Sequence, residues 1–88
     1  MELSRIRDIM DTIIRCMMRY SYCCGCYCYD NLIYCYVVKD NLTITRIFKL
    51  DWITEETKWM DILGAINYLV LDVNHLFFTH EKQHLSEE

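Results

Sequence analysis

The stretch from Tyr20 to Val38 reads YSYCCGCYCYDNLIYCYVV and decides how the rest of the chain can fold. It holds five of the six cysteines and six of the seven tyrosines. Aromatic, β-branched and cysteine residues alternate on both sides of an Asp-Asn pair, and a period of two is typical of β-strands. A cysteine-rich run also suggests a metal or redox site, so the stretch can be interpreted either as part of a sheet or as a metal cluster.

Two Asp-Asn pairs, Asp30-Asn31 and Asp40-Asn41, each lie between runs of aromatic, β-branched or aliphatic residues. Asp and Asn tolerate the positive φ that two-residue hairpin turns require. The sequence therefore predicts a three-stranded antiparallel meander with strands at about 20–29, 32–39 and 42–50.

The register of this meander follows by counting outward from the turns, because opposed residues share a face. One predicted face is small and apolar, and it holds Tyr22, Cys24, Cys26, Cys28, Ile33, Cys35, Val37, Leu42, Ile44 and Phe48. The other is broad and aromatic, and it holds Cys23, Tyr27, Tyr29, Leu32, Tyr34, Tyr36, Val38, Thr43, Thr45, Ile47 and Lys49. Arg46 falls on the small face and must reach the rim or pair with a carboxylate, unless the register is wrong by one residue.

Apolar residues at 3-4 spacing on both sides of the meander predict two helices, over about 2–19 and 55–80. The fold class predicted is α+β, a single domain over 1–88 with the element order α-β-β-β-α. Thr54, followed by two glutamates, is typical of the N-cap of the second helix.

The second predicted helix would be about 39 Å long, whereas a strand of eight residues is only about 27 Å long. We therefore expect either a break near 72–74 or an overhang that is used in a dimer. A fourth strand over 68–73 is the alternative, and 81–88 is expected to be a frayed tail.

Composition narrows the function classes. The chain has 88 residues and a net charge of −4, which argues against direct, phosphate-dominated nucleic-acid binding. No signal-peptide core and no apolar run near the roughly 20 residues of a membrane span are evident, so a cytoplasmic protein with reduced thiols and no membrane contact is expected. With two glycines and no phosphate-binding or nucleophile motif, neither an enzyme nor a cofactor is expected.

The cysteines are interpreted first as core sulfur, because free cysteine behaves as a small buried hydrophobe. A zinc or soft-metal site built from Cys24, Cys26, Cys28 and Cys35 is the alternative, although structural zinc sites usually use two separate knuckles. A disulfide between the opposed Cys26 and Cys35 is a third interpretation. His80-Glu81-Lys82-Gln83-His84 spells H-E-x-x-H, but so near the last residue it is interpreted as a solvated helical turn.

Two sets of residues are candidates for partner binding. The first is the tyrosine face, with Tyr27, Tyr29, Tyr34 and Tyr36, because tyrosine is enriched at protein interfaces. The alternative is that the second helix covers these tyrosines and makes them core. The second set is an acidic helix start, with Asp51, Glu55, Glu56 and Asp61, which would dock to a basic, nucleic-acid-binding surface of a partner or would only be a solvated helix start.

In size, acidity and helix–sheet–helix plan the chain resembles the small inhibitor proteins of phages and mobile elements, including anti-CRISPR proteins. The resemblance is one of general character and is carried by no single residue. It implies a non-enzymatic protein-binding module that inhibits or regulates a larger protein or nucleoprotein. The alternatives are a small metal-binding protein and a homodimeric subunit with its second helix buried in the dimer.

Overall fold

The computed structural model describes the backbone of residues 1–87 and the side chains of residues 1–81. Its elements, in chain order, are α1 (Leu3–Met18), β1 (Cys23–Tyr29), β2 (Leu32–Lys39), β3 (Leu42–Lys49) and α2 (Trp59–Glu87). The strands form one antiparallel sheet in the order β1-β2-β3. The predicted α+β fold and its element order are confirmed.

Both hairpin turns have the predicted length of two residues. Asp30 and Asn31 have φ of 51° and 60°, and Asp40 and Asn41 have φ of 51° and 68°. Positive φ at both central residues defines the type I′ turn, whose twist matches that of the strands. The predicted register is therefore confirmed along both strand pairs, including the opposition of Cys35 and Arg46.

The core lies between the small apolar face of the sheet and the two helices. α1 packs on β1, α2 packs on β3, and the helices also contact each other. The fully buried side chains come from α1 (Ile9, Ile13, Met17), β2 (Ile33, Val37, Cys35) and α2 (Ile62, Ile66, Val73). Among the described side chains no polar or charged residue is buried, so the core has few polar groups to satisfy.

The end of α1 explains why β1 begins at Cys23 rather than near Tyr20. Ser21 has a φ of 64°, the N–H of Tyr22 donates to the carbonyl of Met17, and the N–H of Ser21 donates to the carbonyl of Met18. These two bonds form the Schellman pattern that closes a helix through one left-handed residue. The three residues after α1 are therefore a turn.

The connection between β3 and α2 differs from the prediction. Thr54 does not cap a helix: its hydroxyl accepts a hydrogen bond from the N–H of Glu56, and its N–H donates to the hydroxyl of Thr57. This local turn competes with helix formation, as threonine side chains often do. α2 consequently begins at Trp59, four residues later than predicted.

α2 is one uninterrupted helix of 29 residues. The predicted break near 72–74 and the alternative strand over 68–73 are therefore wrong. The frayed tail over 81–88 stays a prediction, and residue 88 lies outside the described residues. At 1.5 Å per residue the helix is about 43 Å long, and the molecule extends 51 Å along its longest axis. Of the two expected outcomes, a break in the second helix or an overhang, the structure shows the overhang.

By length and composition alone, the segment of α2 from Trp59 to Glu81 would suffice to cross a membrane. This corrects the expectation that no apolar segment approaches that length. The core helix of a soluble protein can meet the same criterion, and one side of α2 does pack in the core.

Candidate functional site

The tyrosine face has the residues that the register predicted, and it is the side of the sheet that points away from the helices. Within the described part of the chain, both helices pack on the opposite side. Tyr27, Tyr29 and Tyr36 are 53 %, 71 % and 45 % exposed, and Tyr34 is half-buried between its neighbours. The alternative in which these tyrosines are core is therefore wrong.

The rings on this face are held in place by one another and by the backbone. Tyr27 and Tyr34 are a cross-strand pair, and their rings stack with centroids 4.9 Å apart and an interplanar angle of 12°. The ring of Tyr36 lies over Gly25, its partner on β1, so closely that a Cβ at that glycine would lie 2.2 Å from the ring. Gly25 is thus required by the position of a tyrosine rather than by its own backbone conformation.

The surroundings of the tyrosines are apolar or uncharged. Ile47 lies opposite Tyr34 and is 49 % exposed, while Thr45 lies opposite Tyr36. Along the described strands, Lys49 at the end of β3 is the one charged side chain that belongs to this face. The face therefore offers aromatic area with phenol groups at the tips, a combination that suits a protein interface.

The four acidic residues of the second candidate set are all exposed. They do not form a single helix start, because Asp51, Glu55 and Glu56 lie in the connection and only Asp61 lies in the first turn of α2. The connection is fixed by Arg5 of α1, whose guanidinium donates to the carbonyls of Thr54 and Thr57 over 2.7 and 2.5 Å. The acidic loop is therefore made of Asp51, Glu55 and Glu56, and Asp61 follows it on α2.

The cysteines of the predicted small face divide into a cluster and an outlier. Cys24 and Cys26 are half-buried on β1, Cys35 is fully buried on β2, and Cys28 is exposed near the turn. The Sγ atoms of Cys26 and Cys35 are 3.6 Å apart. Among the described residues there is no group of three or more His, Cys, Asp or Glu side chains placed to hold a metal ion. The metal alternative therefore gains no support from the positions of these side chains.

The thiols of Cys24 and Cys26 are held in their neutral form. The hydrogen bond with Cys26 and then burial raise the pKa of Cys24 far above its ordinary value. For Cys26, a hydrogen bond with Cys24 lowers the pKa, but the hydrogen bond with Cys35 and burial outweigh it and raise the pKa to about 12. Neutral thiols are poor nucleophiles and poor metal ligands.

The H-E-x-x-H motif lies only partly within the described side chains. His80 is exposed on α2, while His84 lies outside the described side chains.

Sequence reasoning missed a third surface, on the side of α2 that faces away from the core. Tyr68, Leu71 and Phe78 are between 62 % and 75 % exposed and, at spacings of three and seven, lie along one side of the helix. Gly64, on the same side, has open space around its Cα. The sequence did carry a signal for this surface. Apolar residues occupy more than one face of α2, and only one of these faces was assigned to the core.

A groove of about 750 Å³ runs between β3 and α2 and is bordered by Trp52 and Tyr68. At its rim Arg46 Nε lies 2.9 Å from Asp72 Oδ2, although the Nε–H is not aligned for a hydrogen bond with the carboxylate. Arg46 thus reaches the rim and pairs with a carboxylate, as the predicted register required.

The candidate features are therefore two exposed apolar surfaces, one on the sheet and one on α2, an acidic loop and a largely covered thiol cluster. The tyrosine face presents four tyrosines and, along the described strands, a single charged side chain. Comparison of the chain with protein-family models, with curated proteins and with solved structures finds no match in any of the three.

Proposed function

We propose that this protein is a non-enzymatic binding module whose tyrosine face docks on a larger protein and thereby inhibits or regulates it. The observation that carries the proposal is the exposure of Tyr27, Tyr29 and Tyr36 on the one sheet face that the described helices leave open.

An antiparallel sheet with one solvated face normally places polar and charged residues on that face. Here four of the eight positions that β1 and β2 place on this face are tyrosines, which contribute large contact areas and are enriched among the residues that dominate binding energy. Solvation alone does not call for aromatic side chains at these positions.

The rings are also largely ordered before any partner arrives. Tyr27 stacks on Tyr34, and the ring of Tyr36 packs over Gly25. These contacts restrict three of the four tyrosine side chains. Binding then costs less side-chain entropy, because each rotamer-rich side chain immobilised at an interface costs about 0.5–1.5 kcal/mol. A preformed aromatic platform of this kind suits a preformed, flat partner surface.

The acidic loop suggests the charge of that partner. With a net charge of −4 and four exposed carboxylates between Asp51 and Asp61, the protein favours association with a basic surface, such as the nucleic-acid-binding surface of a nucleoprotein. Glu55→Lys together with Glu56→Lys should lower the association rate and weaken its dependence on salt. An unchanged association rate would mean that the acidic loop is not part of the binding surface.

The tyrosine face is tested by site-specific crosslinking. A photoreactive phenylalanine analogue is placed at Tyr36, or at Tyr68 on α2 as the matched control, and the protein is irradiated in extract of cells that express it. We expect a discrete crosslinked protein from position 36 and not from position 68.

The same capture from position 36 is then repeated in variants that remove phenol rings elsewhere but suit their elements, Tyr27→Thr with Tyr29→Thr on the sheet and Tyr68→Gln on the helix. The sheet variant should lose at least 90 % of the captured partner, because hot-spot residues cost about 2 kcal/mol or more when truncated. Equal capture by both variants would contradict the proposal, provided that circular dichroism shows both to be folded.

A homodimer is the second candidate, and the exposed stripe of Tyr68, Leu71 and Phe78 is the observation that favours it. Pairing through α2 would bury this stripe, and Gly64 would let two helices approach closely. Sedimentation equilibrium should then show a dimer that Leu71→Glu converts to a monomer and that Tyr29→Glu leaves intact. A monomeric wild-type protein at high micromolar concentration would exclude this candidate.

A further inference from the structure

The helix-covered face of the sheet brings thiols together in a way that partner binding does not use. Cys26 on the edge strand β1 lies directly opposite Cys35 on β2. Their Sγ atoms are 3.6 Å apart, and both cysteines are free. A disulfide has an S–S distance of about 2.05 Å, so closing this pair requires a movement of about 1.5 Å.

The backbone at this pair has the spacing that a disulfide needs. In an antiparallel ladder, hydrogen-bonded and non-hydrogen-bonded pairs alternate, and the pair beside a two-residue turn is hydrogen-bonded. Tyr29 and Leu32 occupy that position, and Cys26 and Cys35 lie three pairs farther out. They therefore form a non-hydrogen-bonded pair, in which the Cα atoms are about 4.5 Å apart and within the range for disulfides.

The other cysteines are less well placed to pair. Cys24 and Cys26 are two residues apart on one strand, so their Cα atoms are about 6.6 Å apart and their side chains run in parallel. Cys28 faces Ile33, and Cys23 belongs to the tyrosine face. Among the thiols of the strands, geometry thus favours Cys35 as the partner of Cys26.

We propose that Cys26 and Cys35 are a redox-active pair that a small disulfide, such as glutathione disulfide, oxidises to a cross-strand disulfide. The Cys26 thiol loses its proton and attacks the oxidant, which releases one glutathione thiolate and leaves a mixed disulfide. The Cys35 thiol then loses its proton, attacks Sγ of Cys26 and releases the second thiolate. Two electrons pass to the oxidant and the two protons end on the two glutathione thiols. This inference does not depend on the proposed binding function.

The bond would join the edge strand to the central strand directly beneath the stack of Tyr27 on Tyr34, which is the neighbouring pair on the other face. It closes a loop that contains only the first hairpin. Closing a loop of this length restricts the unfolded chain, and the oxidised protein should melt on the order of 10 °C higher than the reduced protein. The disulfide should also reduce the fraying of β1 from the sheet.

The reaction should be slow at neutral pH. The hydrogen bond with Cys35 and burial hold the pKa of Cys26 at about 12 in spite of the opposing hydrogen bond with Cys24. Since the thiolate is the attacking species, the rate should rise about tenfold for each pH unit from 7 to 9.

The test equilibrates the whole chain with mixtures of reduced and oxidised glutathione, alkylates the remaining thiols in acid-quenched samples and maps the linked peptides by mass spectrometry. We expect the loss of two hydrogens and one linkage, between Cys26 and Cys35. The variant Cys28→Ala, which removes the exposed thiol on the same strand, should behave like the wild type, whereas Cys26→Ala should form no such linkage.

A second measurement keeps the proposal falsifiable if Cys26→Ala folds poorly. Wild-type protein unfolded in urea and treated with the same mixtures should lose the preference for this pair, because the sheet no longer opposes the two thiols. The proposal is overturned if the folded wild type stays fully reduced in every mixture, or if another pair of cysteines oxidises first.

Discussion

The two faces of the sheet are made from alternate residues of the same three strands, yet their environments differ completely. On the helix side, Ile33, Cys35 and Val37 of β2 are fully buried, whereas on the other side Tyr36 of the same strand is 45 % exposed. Both faces are rich in hydrophobic residues, so hydrophobicity alone does not decide which one is covered. The difference lies in the polar atoms, because thiols and aliphatic groups can be buried without a partner, while each buried phenol without one costs about 1–3 kcal/mol.

The largest effect should come from the same substitution made once on each face. Ile33→Ala removes a fully buried side chain from the core and should lower the free energy of unfolding by about 2–5 kcal/mol. Ile47→Ala removes a side chain that is 49 % exposed on the tyrosine face and should cost about 0.5–1 kcal/mol. Urea unfolding of both variants measures the difference, and equal losses would mean that the open face is covered in solution.

Gly25→Ala should sharpen the description of the tyrosine face. The new methyl group would collide with the ring of Tyr36, so we expect a loss of about 1–3 kcal/mol. In a Tyr36→Ala background the collision is absent, and the same change should become neutral or stabilising, because alanine is less costly than glycine in a strand. A double-mutant cycle reports this coupling. A cost that is the same in both backgrounds would show that Tyr36 does not lie over Gly25.

Alkaline pH should weaken the helix-covered face. The hydrogen bond with Cys26 and burial raise the pKa of Cys24 above its ordinary value near 9, and the pKa of Cys26 is raised to about 12. The folded protein then keeps protons that the unfolded chain loses above pH 9, so this stability is complete below pH 9 and falls as the pH rises toward 12.

Thermal unfolding between pH 8 and 10.5 checks this pH dependence, and Cys26→Ala, compared with Cys28→Ala, should flatten the decline. A decline of the same slope in both variants would assign the effect to other groups.

The smallest effect should come from Arg46, a charged residue of β3 on the helix-covered face. Arg46 and Asp72 are both about 40 % exposed, so their pairing should contribute less than about 1 kcal/mol. Arg46→Leu should change stability by no more than this amount, since an apolar residue suits the face. A double-mutant cycle with Asp72→Asn measures the pairing, and a coupling well above 1 kcal/mol would mean that the pair is effectively buried.

The parts of the fold that depend on local pattern were predictable. Two Asp-Asn pairs determined both turns and, through them, the register of the sheet, because type I′ turns leave no freedom in the count. The same count predicted that four tyrosines share one face and that Arg46 must reach the rim or pair with a carboxylate.

The start and course of α2 were not predictable in this way. Thr54 carries a normal N-cap signal, but its hydrogen bonds close a separate turn that Arg5 of a distant helix stabilises. Nor does spacing reveal that Tyr68 and Phe78 stay exposed, because a helix with apolar residues on several sides does not show which side meets the sheet. These features depend on tertiary contacts.

The order of the elements along the chain bears on how the protein folds. α1 packs on β1, β1 pairs with β2, β2 pairs with β3, and β3 packs on α2, so each element contacts its neighbour in sequence. Such local contacts favour fast folding, and the contact of α1 with α2 is the main one that must close a long loop. We therefore expect the helix and the two hairpins to form early, and the docking of α2 to be the step that limits the folding rate.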